Sequence, residues 1–393
     1  MRFRLLCILL LCTLGLRAKV VSDVCTTDSV DRTQENFVIA SYLVADPADV
    51  LYSVLGHSVI RLQCPTYGLD YCFSYESEDV RHKIWAFLAG NLKMGMFAVP
   101  TSDYLAGYEQ AKRGVREYIL NLTPEQKKEL WRVVDEEVVK GSDLSYDFIE
   151  RGCALSCFNL LTEVIGAENI VYKKWPRNIE NQTWREIGYN RIPNGAEWQR
   201  FIIMILLGSG IDKVLPCEQS LITPEDVLET LQYATCNGKP IVSSDFQWIV
   251  PSGVPMCQKW YSPLFFGILL LLLEIVFTML FWNFNHIIAL KYVSRILDFI
   301  VLCVQCLIGC MVTYLVLFSK LPCTNWNWLI IPYNILPAIF WYWRRYWGVP
   351  YAIVLAIWII SMLSYPHLLV ETAVVCIVMA FIVVLLKQKV YEK

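Results

Sequence analysis

From Pro263 onwards the chain is almost continuously apolar, in runs about as long as a bilayer is thick, and this limits its possible folds more than any other feature. Five runs, 264–281, 296–318, 329–343, 351–365 and 368–386, approach the roughly 20 residues a helix needs to cross the hydrocarbon core, two of them falling short. Lipid offers no partner for backbone N–H and C=O groups, so such runs are expected as helices, five in all. Pro332 and Pro337 interrupt the third run, which is therefore expected to bend or re-enter. Lys291 and Arg295 fall between the first two runs, Arg344 and Arg345 between the third and fourth, and Lys387, Lys389 and Lys393 after the last. The remaining connections carry only Lys320, so the positive-inside rule puts the C-terminus in the cytoplasm and everything before Pro263 outside. Trp326, Trp328, Trp341, Trp343 and Trp347 stand near run ends, where indole rings prefer the headgroup level. Glu274, Asp298 and Glu371 within or beside the runs are expected to face the bundle interior, in a structural or headgroup-binding role rather than an ion path.

The N-terminus agrees with that orientation. Arg2 and Arg4 precede the apolar run 5–16, and Ala18 supplies a small-residue exit, the pattern of a secretory signal over 1–18, which with the apolar runs places the protein in the inner membrane. An uncleaved anchor is the alternative, because Arg17 and Lys19 flank the exit, and both readings export the domain after it. Cys25 lacks a lipobox before it. With 34 basic against 36 acidic residues, no global field points to nucleic acid as a partner.

Residues 19–259 read as an α+β periplasmic domain and 260–393 as an all-α membrane domain. Residues 37–44 and 59–63 are rich in β-branched types and 70–75 alternates with aromatics, so all three are expected strands. Thr123 and Pro124 form a cap and first turn for a helix over 127–139. A second helix is expected from Cys153, with Leu155, Phe158, Leu161 and Val164 on its apolar face and Gly152 before it. Residues 201–208 are too short to span and are expected as a buried helix, with a membrane-surface contact as the alternative.

Eight of the 15 cysteines lie in the exported part, where disulfides are permitted. Cys64 and Cys72 flank a turn and are candidates for a hairpin disulfide. No paired CxxC with histidine spacing occurs, so no metal or other cofactor is implied. The exported part holds two histidines, His57 and His82; His57 follows a glycine at a strand edge, where another group can approach closely. At the start of its helix, Cys153 meets unpaired amides and the positive end of the macrodipole, which favour the thiolate. Cys157, one turn on, is the rival thiol but lies deeper in the helix.

Four segments, Gly56-His57-Ser58-Val59-Ile60-Arg61, Asp70-Tyr71-Cys72-Phe73-Ser74-Tyr75, Arg116 to Pro124, and Tyr146-Asp147-Phe148 leading to Gly152-Cys153, resemble the periplasmic domain of the Lnb family of Bacteroides-type lipoprotein N-acyltransferases. Arg295-Ile296-Leu297-Asp298 and Asn325-Trp326-Asn327-Trp328-Leu329 before Pro332 and Pro337 are similar to its transmembrane module. The resemblance implies a permuted papain-like fold, with the histidine strand ahead of the cysteine helix, and a catalytic pair of Cys153 and His57. The third member, which would orient the imidazole, stays open between Asp70 and Tyr75. The family commonly has Asn where this chain has Gly152, so no side-chain role is expected there. The implied reaction passes a fatty acyl group from a membrane phospholipid, through a cysteine thioester, to the N-terminal α-amine of a diacylglyceryl-cysteine lipoprotein.

Two other readings compete. A papain-like cell-wall peptidase would use the same thiol but would need no lipid access. A non-enzymatic membrane assembly protein would have its exported cysteines oxidised.

Overall fold

The computed structural model describes residues 37–380 and 382, apart from 81, 142–143, 148, 177–178, 254–255, 258, 285 and 364–369. The expected signal segment, Cys25 and the end of the last apolar run lie outside the described residues.

The expected strands form, with shifted ends, as β1 (Ile39–Ala45), β2 (His57–Cys64) and β3 (Leu69–Ser77), an antiparallel meander. After β3 come α1 (Ile84–Leu88), β4 (Lys93–Pro100), α2 (Thr101–Gln110), β5 (Val115–Leu120), α3 (Pro124–Lys140), β6 (Leu144–Ser145) and α4 (Cys153–Ile165). Next are β7 (Ile170–Val171), α5 (Trp184–Arg191), α6 (Glu197–Leu206), α7 (Pro224–Tyr233), β8 (Thr235–Cys236), β9 (Lys239–Pro240) and β10 (Val242–Val250). The main sheet has seven strands in the order β10-β5-β1-β2-β3-β4-β6, all antiparallel. Strands β7, β8 and β9 make a small second sheet.

Side-chain alternation gives the main sheet two covered faces. Tyr42, Ile60, Leu62, Phe73 and Tyr75 point into the larger core, where α3, α4 and α7 pack. Leu43, Ala45, Val59 and Cys72 point the other way, under Tyr104, Leu105 and Tyr108 of α2. Helix α3 begins as its sequence requires: the Thr123 side chain accepts from the Gln126 amide and the Gln126 side chain accepts from the Thr123 amide. Helix α4 buries Leu155, Phe158 and Leu161 against the sheet, each worth roughly 1.5–3 kcal/mol when fully buried. Residues 201–206 lie in α6, with Ile203, Met204 and Ile205 buried.

The C-terminal part is helical. Helices α8 (Pro263–Asn283) and α9 (Ile288–Phe318) have the length and apolarity to cross a bilayer. Helix α9 begins eight residues ahead of the apolar run and, at a rise of about 1.5 Å per residue, is longer than a bilayer requires. The third run is no continuous helix. It breaks into short turns at Trp328–Ile330, α10 (Leu336–Ile339) and Trp341–Trp343, where Pro332 and Pro337 each withhold an N–H from a helix. The Gln305 side chain of α9 donates to the Pro332 carbonyl at 2.9 Å and so satisfies a group the broken helix leaves open. Two shorter helices complete this part, α11 (Arg344–Met362) and α12 (Val370–Ala380). Glu274 and Asp298 are both buried inside the bundle, as expected of ionisable groups in a membrane segment.

Backbone contacts join the two parts. The Gly208 amide donates to the Cys323 carbonyl at 2.7 Å, the Lys320 amide to the Ala89 carbonyl at 3.1 Å, and the Asn327 side chain to the Ile205 carbonyl at 2.7 Å. A Cβ at Gly208 would stand 2.1 Å from the Asn325 carbonyl oxygen, so only glycine permits this approach.

Candidate active site

The chain crosses from β1 to β2 through Gly56, whose φ is +88°; a Cβ there would meet the Ala45 carbonyl oxygen at 2.8 Å. This turn places His57 at the first position of β2, opposite Ala45. Gly152 caps α4 in extended conformation, and Cys153 is the first helical residue. Although 96 positions apart in the chain, the two side chains stand close enough to shift each other's titration and line one cavity.

Their electrostatics are mutual. Burial alone would raise the Cys153 thiol, but the neighbouring imidazolium, its hydrogen bond, and the backbone amides of Ser58 and Ala154 bring it below its ordinary value. Burial would likewise depress His57, yet the Cys153 charge, Tyr108 and Glu76 hold it well above the usual imidazole value. Each group thus favours the charged form of the other, and the thiolate is the nucleophilic form of cysteine. Cys157 differs sharply. It is fully buried in the core, its Sγ 3.9 Å from the Ser58 carbonyl, and burial first, then the Cys153 charge, pushes its thiol well up.

The ring is oriented from β3. Nε2 of His57 lies 2.7 Å from Ser74 Oγ, and Ser74 donates to Glu76 Oε1 at 3.0 Å. A hydroxyl has one proton, so Ser74 must accept from the ring; Nε2 carries a hydrogen, and Nδ1 is left as the basic nitrogen. Glu76 Oε1 also stands at ion-pair distance from Nε2, 3.7 Å, and accepts from Tyr104 at 3.3 Å. Burial would raise the Glu76 carboxyl, but His57 first, with Ser74 and Tyr104, holds it below its ordinary value.

Of the two residues expected as orienters, Tyr75 lines the cavity and Asp70 does not, and no hydrogen bond to the His57 ring is found for either among the described residues. Asp70 accepts from Arg61 through two nitrogens, at 2.8 and 2.6 Å, from Gln63 at 3.2 Å and from Thr101 at 2.5 Å, while Arg61 also binds Glu117. It is a tie across the sheet near the far end of β2. Tyr75 points into the main core toward Glu137, on the face opposite Ser74 and Glu76. The β2–β3 register pairs Ile60 with Phe73, and the same register carried outward sets His57 opposite Glu76. Residues 74 and 76 therefore share the histidine's face while 75 does not. The turn at 65–68 already implied this pairing in the sequence, and the one-residue offset is what hid Ser74 and Glu76.

The expected disulfide between Cys64 and Cys72 is absent: both are free and buried. Cys64 pairs with Leu69 and Cys72 with Arg61, so their side chains leave opposite faces of the hairpin, and no bridge can join them. Cys72 is an inert thiol, pushed up to about 11 by burial.

Cys153 and His57 open into a cavity of about 510 Å³. His57, Glu76, Glu78 and Cys153 are among its polar lining, Phe87, Leu88 and Leu207 among its apolar lining, and Leu315 and Leu321 of the membrane part line it as well. That volume falls inside the range of roughly 300–1,000 Å³ common for sites that enclose a small molecule. Two family models match the chain: the Lnb N-terminal periplasmic domain over residues 27–187 and the Lnb transmembrane domain over residues 256–391. Comparison with curated proteins and with solved structures finds no match. Carrying both domains in family order over most of its length, the chain is a membrane protein with a periplasmic domain and belongs to the Lnb family.

Proposed function

We propose that the protein is a cysteine-dependent lipoprotein N-acyltransferase. The observation that carries this reading is the Cys153–His57 pair on the wall of a largely apolar cavity that residues of the membrane part help to line. A peptidase acting on a polar wall polymer would have no use for such a wall.

In the first half-reaction the Cys153 thiolate attacks the carbonyl carbon of a phospholipid ester. Negative charge moves to the carbonyl oxygen, where amides of the first α4 turn can donate to it. The intermediate collapses; its C–O bond breaks, and the lysophospholipid alkoxide leaves with the proton of His57 Nδ1. A thioester and a neutral imidazole remain. In the second half-reaction the α-amine of a diacylglyceryl-cysteine attacks the thioester, Nδ1 takes the amine proton, and the thiolate departs, restoring the ion pair. The Ser74–Glu76 relay acts through the ring, fixing its tautomer and balancing its charge in the imidazolium state.

The histidine strand preceding the cysteine helix supports a permuted papain-like reading of the periplasmic part. The basic residues between and after the apolar runs support a cytoplasmic C-terminus and five spans, with 329–343 as the broken one. The signal over 1–18 belongs to the same reading.

Mass spectrometry of lipoprotein N-termini tests the function. Cells lacking the gene accumulate diacyl forms, and the wild-type gene, but not Cys153→Ser, restores triacyl forms. Unchanged triacyl lipoproteins in the deletion strain would rule the reading out.

A further inference from the structure

Helix α1 borders both the cavity and the membrane part. Its Phe87 and Leu88 line the cavity that holds Cys153. Ile84 and Trp85 turn outward, and Trp85 exposes 70% of its surface. The helix is held in this position. Its Ala89 end accepts the Lys320 amide at 3.1 Å; Gly90 lies so close under Leu321 that a Cβ would stand 2.9 Å from that backbone; and the Trp85 ring meets Tyr314 of α9 edge-on at 5.9 Å.

Depth is set by the last contact. Tyr314 lies four residues before the end of α9 at Phe318, about 6 Å below it at 1.5 Å per residue. Helix α9 is one of the two with the length and apolarity of a membrane span. Trp85 therefore stands beside the last turn of α9, and an amphipathic ring is most stable at the level of the headgroups and upper acyl chains. Leu315, the very next residue of α9, already lines the cavity. One turn of α9 thus touches the outward ring of α1 and the inner chamber together.

We propose that α1 is a membrane-immersed lip: Ile84 and Trp85 sit among the lipids of the outer leaflet, and the seam between α1 and the Tyr314–Phe318 turn is a lateral mouth by which a glycerolipid acyl chain reaches the Cys153 cavity. The immersion stands apart from the reaction; the passage of a chain destined for Cys153 rests on the acyltransferase reading.

Photocrosslinking in the full-length protein, reconstituted in phosphatidylethanolamine–phosphatidylglycerol vesicles, tests both parts. Trp85→p-benzoylphenylalanine gives a lipid adduct by mass spectrometry, as does Phe299→p-benzoylphenylalanine on the exposed surface of α9. Tyr67→p-benzoylphenylalanine, at the far tip of the β2–β3 hairpin roughly 25 Å from His57 at 3.3 Å per residue, gives none. Ile84→p-benzoylphenylalanine is the second probe if the Trp85 variant fails to fold. An adduct at 299 with none at 84 or 85 overturns the lip, as does equal labelling at 67. Phe87→p-benzoylphenylalanine reports the chamber: a lipid adduct there supports the mouth, and its absence beside labelling at 85 overturns it. Lipid adducts at 85 and 87 in a protein whose deletion leaves triacyl lipoproteins unchanged would sink the acyltransferase and keep the lip.

Discussion

Ser74 Oγ lies 2.7 Å from Nε2 of His57 and donates its own hydrogen bond to Glu76, and this contact decides which ring nitrogen faces the thiol. A neutral imidazole with its hydrogen on Nε2 presents a lone pair on Nδ1, the form that can receive a proton from Cys153 or from an incoming amine. The strand that supplies Ser74 and Glu76 is thus a positioning element for a base it does not contain.

Ser74→Ala removes the acceptor of the Nε2 proton and leaves the tautomer free. A hydrogen bond to a charged group is worth about 1.5–3 kcal/mol, so kcat falls roughly 10- to 100-fold while KM for the lipid donor holds. Steady-state kinetics of acyl transfer in vesicles check this. A change in KM alone would mean that Ser74 binds lipid instead.

Asp70→Asn loosens the Arg61 tie and acts on stability, not on the thiol. Melting of the detergent-solubilised protein is expected to show a loss of about 1 kcal/mol, as for a partly exposed ion pair, with the Cys153 alkylation rate unchanged. A large drop in that rate would return Asp70 to the site.

The thiol's pH profile is set by its surroundings. Imidazolium and amides hold Cys153 below the ordinary 9.0, so the iodoacetamide alkylation rate rises with a midpoint below that value. In His57→Ala burial acts without the cation, and the midpoint moves up from that of the wild type. The direction is that of an acid whose charged form has lost its partner. A midpoint indifferent to the substitution would show the two groups to be uncoupled.

Cys157→Ser leaves acyl transfer within a few-fold of wild type, whereas Cys153→Ser abolishes it. The Cys157 thiol is pushed well up by burial and so is scarcely ionised near neutral pH. Accumulation of a Cys157-linked acyl peptide in digests of the working enzyme would reverse the two roles.

Gly56→Ala forces a Cβ to within 2.8 Å of the Ala45 carbonyl at a φ of +88°. The strain costs about 1–3 kcal/mol and displaces the residue beside it, so thermal stability and alkylation of Cys153 fall together. Separate behaviour of the two readouts would show that the turn does not set the ring's position.

Features encoded within a few residues could be read from the chain alone. The helix cap at Thr123, the apolar face from Cys153 to Ile165, the three strands of the meander and the break at Pro332 and Pro337 are local properties of spacing and backbone chemistry. The pairing of Cys153 with His57 was expected from the family resemblance, and the fold brings the two side chains to one cavity. The orienting residue was not legible, since it depended on the register of β2 against β3, where a shift of one position exchanges Tyr75 for Ser74 and Glu76. The free state of Cys64 and Cys72 turned on the same register. Folding in three dimensions was needed to join Phe87, Leu207 and Leu315 into one chamber, because their meeting depends on the packing of segments more than a hundred positions apart and not on any pattern inside one of them.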